Sequence, residues 1–172
     1  MAKNLVIFYS RKGSNYVNGE IRNLPEGNTA VVARFIQQAV DADLFEIETV
    51  KDYPADYKAC TEEAQKELMG NARPGLKQYL TDITDYEHIV VAGPCWWGTY
   101  PMAVVSQLEK LDFSGKHVFP VMTHEGSGQA GAPLALRKHC KGAVIGEGLA
   151  VRGAEADSSG ETVARWAAKN LQ

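Results

Sequence analysis

The chain is poor in cysteine. Its 172 residues hold three, Cys60, Cys95 and Cys140. They are odd in number, far apart and without a C-x-x-C pair, which argues against a disulfide framework or a cysteine-ligated zinc site and points to a reducing cytoplasm. No apolar run approaches the roughly 18 residues of a membrane span. The start, Met-Ala-Lys-Asn-Leu-Val-Ile-Phe-Tyr, has no secretory h-region or small-residue cleavage site. Charge of one sign is scarce as well. With 18 Lys and Arg against 21 Asp and Glu, the net charge of −3 gives no electrostatic footprint for nucleic acid or an anionic membrane. Four histidines (His88, His117, His124, His139) show no metal-ligand spacing. Neither a Walker A sequence nor a G-x-S-x-G elbow is present.

What is present is an ordinary globular mixture, 45% hydrophobic and 23% charged, with 16 Gly and 7 Pro, too few for a disordered or collagen-like chain. At about 100–200 residues per domain, the whole of 1–172 reads as one domain with a core of its own. Leu5–Tyr9 is a continuous apolar run, as a buried central strand would be. Ser14–Gly27 has no periodicity and reads as a loop excursion. From Thr29, Val32, Phe35, Ile36 and Ala39 fall at helical spacing, with Asn28 as the expected N-cap. Leu44–Val50 alternates as a half-exposed strand, and Tyr57–Asn71 is helical, closed by Pro74. His88–Ala92 and Val118–Met122 are further strands, and Ala143–Val151 contains a fifth. Pro101 opens a helix whose inward stripe is Val104, Val105, Leu108 and Leu111. Pro133–Cys140 is a short helix. The last helix starts from Ser158-Ser159-Gly160-Glu161, read as a capping box, and buries Val163, Trp166 and Ala167. Five strands alternating with helices predict an α/β doubly wound parallel sheet.

In such sheets ligands bind beyond the carboxyl ends of the strands, at the switch point in strand order. Three loops there stand out. After strand one come Ser10, Lys12, Gly13, Gly27, Asn28 and Thr29, either simple helix capping or a phosphate seat at a helix N-terminus. After strand three comes Gly93-Pro94-Cys95-Trp96-Trp97-Gly98-Thr99-Tyr100-Pro101. Its aromatics would cover a flat ligand, plug the end of the core or meet another subunit. After strand four, Thr123-His124-Glu125-Gly126-Ser127-Gly128-Gln129-Ala130-Gly131 offers unobstructed backbone amides. It contains G-x-G-x-x-G, with Glu147 where a ribose-binding acid would fall. Its place after the fourth strand, with little chain remaining, argues against a dinucleotide site. Cys95 has no base beside it in sequence to make it a nucleophile.

Together these loops resemble the flavodoxin superfamily over essentially the whole chain. Ser10-Arg11-Lys12-Gly13 with Gly27-Asn28-Thr29 is similar to a flavodoxin phosphate loop split by the insertion Ser14–Glu26. Gly-Pro-x-Trp-Trp-Gly and Thr-x-x-Gly-Ser-Gly are similar to stand-alone FMN proteins with such an extended loop. The resemblance implies a five-stranded sheet of order 2-1-3-4-5 and FMN as cofactor. It places the FMN phosphate on Ser10, Lys12, Asn28, Thr29 and the amide of Ala30. The isoalloxazine would lie along Pro94, Trp96, Trp97 and Gly98, its pyrimidine edge facing Thr123, Gly126, Ser127 and Gly128. No aromatic stands in the loop after strand four, so the second flavin face is open or covered by Tyr100 or a partner.

No catalytic residue is expected, since the flavin carries the chemistry. Three functions follow from the resemblance: a carrier passing electrons between proteins, an NAD(P)H-dependent reductase of quinones or similar small acceptors, and a binding module without redox turnover. The mild charge weakens the carrier, because carriers steer to basic partners by acidity. The absence of a nicotinamide motif weakens the reductase. A homodimer joined through the loop aromatics is a further expectation.

Overall fold

The computed structural model describes residues 3–172. In chain order the strands are β1 (Asn4–Phe8), β2 (Gly13–Val17), β3 (Glu20–Leu24), β4 (Ala42–Glu46), β5 (His88–Pro94), β6 (His117–His124), β7 (Val144–Ile145) and β8 (Leu149–Arg152). The helices are α1 (Asn28–Ala39), α2 (Tyr57–Met69), α3 (Met102–Leu108), α4 (Ala132–His139) and α5 (Gly160–Asn170), with a 3-10 helix over Gly153–Ser158 before the last. The main sheet runs β4-β1-β5-β6-β7, with β8 also on β6, and every pairing is parallel. Counting β7 and β8 as one interrupted strand, the order is the expected 2-1-3-4-5.

Alternation along β1 sends its side chains into two cores. Leu5, Ile7 and Tyr9 join Val104 and Leu108 of α3 and Leu136 of α4 on one face. Val6 and Phe8 join Val32 and Ile36 of α1 and Val163 and Trp166 of α5 on the other. Both faces are covered, which is why β1 and β5 read as unbroken apolar runs. Among the described residues no helix is long and apolar enough to cross a membrane.

The fifth strand is broken at Gly146-Glu147-Gly148, opposite Phe119 and Pro120. A β-carbon at Gly146 would enter the Phe119 ring, and Pro120 has no N–H for the ladder. Glu147 lies in this break, with its carboxylate accepting from Lys169 and Asn170. It is committed to α5 and is no ribose ligand.

Four local expectations need correction. The segment read as a loop over Ser14–Gly27 is mostly an antiparallel hairpin, β2 on β3. Its two-residue turn is Asn18-Gly19, with φ of 53° and 83°, the left-handed pair that matches strand twist. Asn28 is the first residue of α1 rather than its cap. Gly27 holds the cap position without a side-chain bond, and Ser10 caps from across the loop by accepting from the Ala30 amide at 3.0 Å. The capping box before α5 does not form. The Ser159 hydroxyl donates to Ala156 and that of Ser158 to Glu155, both back into the 3-10 helix. Strand two ends at Glu46 rather than running to Val50.

Candidate functional site

The carboxyl ends of β1, β5 and β6 open onto a cavity of about 420 Å³. Its floor comes from the start of α1 (Asn28, Thr29), from Pro94 at the end of β5 with Cys95 and Trp96 after it, and from Thr123 and His124 at the end of β6 with Glu125 through Ser127 after them. Its roof is Asn15 and Tyr16 of the hairpin with Tyr57 of α2.

At the helix end, the first amides of α1 have no partner within their own helix. Ala30 is satisfied by Ser10, while the amides of Asn28 and Thr29 meet no acceptor among the described residues. No acidic residue stands in the first turn of α1. The positive dipole end therefore faces the cavity with no acid in its own first turn, although the Glu125 carboxylate lines the same cavity near Asn28. Thr29, almost fully buried, shares a hydroxyl–hydroxyl bond of 2.8 Å with Thr123, tying the first loop to the third. Ser10, Lys12 and Ala30 lie on the other side of Arg11, along a separate cleft of about 940 Å³ that also holds Glu46. The expected phosphate residues are thus brought to one helix end but divided between two openings.

The aromatic loop separates its two tryptophans. Trp96 is half-buried and packs edge-on against Tyr9 and Tyr53, with centroids 5.2 and 5.0 Å away. Trp97 is 51% exposed and its indole N–H donates to the Thr61 carbonyl at 2.8 Å. Trp97 and Gly98 form the centre of a tight turn closed by Trp96 and Thr99, with φ of 56° and 83°. The left-handed region suits Gly98 and strains a bulky Trp97. The Gly98 carbonyl accepts from the Gly131 amide at 2.8 Å, and a β-carbon at Gly131 would stand 2.7 Å from that oxygen. Close approach of the two loops therefore requires glycine at 131. Gly98 and Gly128 lie off the cavity lining. Tyr100 is no cover for a ligand: it is fully buried, with its hydroxyl donating to Val91, and burial pushes its pKa well up.

In the third loop the Gly126 amide donates to Nδ1 of His124 at 2.9 Å. With that amide as donor, Nδ1 is the acceptor and the ring carries its proton on Nε2; burial, helped by the Arg152 charge, lowers the His124 pKa. The Ser127 hydroxyl donates to Cys95 Sγ at 3.3 Å. The amides of Ser127 and Gly128 have no acceptor among the described residues. The Glu125 carboxylate accepts from the Asn18 amide at 2.6 Å and so pins the hairpin tip to this loop.

The roof is what sequence reasoning missed. Tyr16 stacks on Tyr57, centroids 6.1 Å apart and 28° from parallel. Arg11 anchors the base of the hairpin, with Nε donating to Ser14 and Nη2 to Pro54 and Ala55. The signal for it was in the chain as Asn18-Gly19, a strong hairpin dipeptide. His124, Glu125 and Gly153, also in the lining, carried no comparable signal.

A family model described as Flavodoxin matches residues 24–170. Among solved structures, a candidate flavoprotein of Bacteroides uniformis superposes with a TM-score of 0.75 at 29% identity, over 96% of this chain and 97% of that one. A second, from Bacteroides eggerthii, gives 0.77 at 22% identity, over 100% and 99%. A flavoprotein of Lactobacillus acidophilus in complex with FMN gives 0.62 at 19%, over 94% and 98%. No curated protein matches the chain by sequence. With the family match running from the end of the hairpin to the last helix, on a sheet of order 2-1-3-4-5, the chain belongs to the flavodoxin family.

Proposed function

We propose that the chain binds FMN in the roofed cavity and passes electrons through it. The observation that carries this is the donor set. Two unclaimed amides at the start of α1, a tryptophan on the floor and the unclaimed Ser127 amide of the Gly-rich loop surround one space. A phosphate needs the first, a flat ring the second, and the polar edge of a flavin the third. The residues fit the group. Bound FMN would supply one- and two-electron redox chemistry.

This chain's own residues hold and bias it. Asn28 and Thr29 present amides and the helix dipole to the phosphate. Thr123 stays fixed by its bond to Thr29, and Trp96 is held edge-on by Tyr9 and Tyr53. Tyr16 and Tyr57 exclude water from above. His124, with Nδ1 bound to the Gly126 amide and its proton on Nε2, lines the cavity beside the Gly-rich loop. The cavity lining carries one cation, Arg11, and one carboxylate, Glu125, so the fixed charge around the ring is close to balanced.

Mixing the purified protein with FMN and desalting tests the reading. A retained flavin spectrum at one equivalent supports it, and a colourless protein overturns it. A second reading, an FMN-dependent reductase of small acceptors fed by NAD(P)H, is favoured by the roof. A hairpin over the ring hinders a large protein partner more than a small molecule. Bleaching of the bound flavin by NADPH or NADH, with turnover of a quinone, would select it over the carrier.

A further inference from the structure

A second cavity of about 300 Å³ continues from the first under the same roof, sharing Arg11, Asn15, Tyr57, Cys95 and Trp96 with it. Beyond these, Cys60, Thr61, Ala64 and Trp97 complete its walls. We propose that this slot is a subsite for a small planar aromatic anion, an arene carboxylate or phenolate, held by the Arg11 guanidinium against Tyr57 and the two tryptophans. Its place as the seat of a second substrate rests on the flavin reading; the binding chemistry does not.

Charge gives the sign. Arg11 is the one charged residue in this lining. Among the described residues it makes no ion pair. Its Nε and Nη2 are tied to three main-chain carbonyls at 3.0–3.2 Å, while Nη1 has no partner there. The side chain is thus fixed before any ligand arrives, and ordering it costs a ligand little. A guanidinium held this way suits an oxyanion, which it meets with directed N–H groups. Walls give the shape. Tyr57, Trp96 and Trp97 supply flat apolar surface, and the volume is at the low end for ligand pockets, room for one or two fused rings. Trp97 keeps its indole there at the expense of a left-handed backbone, φ 56°. Such strain concentrates at ligand sites.

Isothermal titration of the FMN-loaded protein with 2-naphthoate, and with the neutral 2-naphthamide of the same shape, tests this. The expected result is one naphthoate per chain, with naphthamide about tenfold weaker. Arg11→Gln should erase that difference. Because Arg11 also holds the Pro54 and Ala55 carbonyls, Ala64→Leu serves as the independent variant. It fills the slot while leaving Arg11 in place, and should abolish naphthoate binding with FMN still retained at one equivalent. Equal binding of the two probes overturns the proposal, as does naphthoate binding that survives both substitutions. Binding to the unloaded protein that FMN displaces also overturns it, since the slot would then be part of the flavin seat. If the chain retains no FMN, the functional reading fails. The naphthoate–naphthamide comparison on the unloaded protein then decides the subsite alone.

Discussion

The floor and the roof of the cavity are built differently. The floor stands on the ends of β1, β5 and β6, strands whose side chains are almost entirely buried. The roof is a two-stranded hairpin with mostly exposed side chains in β3. It is held by the Glu125–Asn18 bond, the Tyr16–Tyr57 stack and the Arg11 carbonyl contacts. An isolated hairpin is marginal in water, so these tethers hold the roof in place. The floor supplies the unclaimed donors, and the roof covers them. Arg11 belongs to both, since it stands in the short link from β1 to β2 and anchors β2.

The largest expected effect comes from the floor. Asn28→Asp puts a carboxylate where the phosphate must sit. Like-charge juxtaposition costs several kcal/mol, so FMN affinity should fall about 100-fold. The circular dichroism spectrum should stay native, because an acid near a helix N-terminus is itself tolerated. Flavin fluorescence titration measures the loss, and unchanged affinity would remove α1 from the phosphate seat.

Next comes removal of the roof. Gly27 packs against Ser10 and the Arg11 carbonyl, so the ends of the insertion already meet, and a Gly-Ser link can replace residues 14–25. FMN should still bind at one equivalent but leave about tenfold faster, in the manner of an open lid. Loss of stoichiometric binding would mean that roof and floor are not separable.

Gly19→Val is milder. It forces a branched residue to a φ of 83°, a cost of about 1–2 kcal/mol. The damage should stay local, with faster protease cleavage in the hairpin and an unaltered urea midpoint for the sheet. A shifted global midpoint would show the hairpin to be part of the cooperative core.

The smallest effect is with pH, and it spares the hairpin because residues 13–24 contain no histidine. Burial is the leading reason the pKa values of His88, His124 and His139 are lowered in the fold. The unfolded chain then takes up protons first as pH drops below about 6.5. Stability is therefore full above that pH and declines below it. Glu46 and Glu67, raised chiefly by burial, act in the opposite sense at lower pH. His124→Gln should flatten the slope of urea midpoints between pH 7 and 5.5; a steeper slope would reverse the assignment.

The sheet was legible because buried parallel strands are apolar without interruption, as Leu5–Tyr9 and His88–Ala92 are. The floor was legible because Trp96, Gly126 and Ser127 sit in loops whose composition no strand or helix explains, with Thr123 at the strand end just before the second of them. The roof was not. Its strands Gly-Ser-Asn-Tyr-Val and Glu-Ile-Arg-Asn-Leu show too little apolar alternation to outweigh a loop reading, and the Asn18-Gly19 signal stood alone. Capping failed for a related reason. Ser10 reaches Ala30 from 20 positions away in sequence, and such partners exist only once the chain has folded. The tyrosine expected to cover the ligand was also misplaced: Tyr100 supplies core volume, and Tyr16 and Tyr57 supply the aromatic surface.

The interruption between β7 and β8 has a bearing on solubility. An open parallel sheet ends in unpaired backbone groups that invite another chain to add a strand. Here one margin offers only two residues, then a Gly-Glu-Gly detour, then four more, too short and uneven to template a neighbour. The opposite margin, β4, is continuous but carries Asp43 and Glu46 exposed. One border of the sheet is thus guarded by broken geometry and the other by charge, and neither offers a long, neutral edge for a second chain to extend.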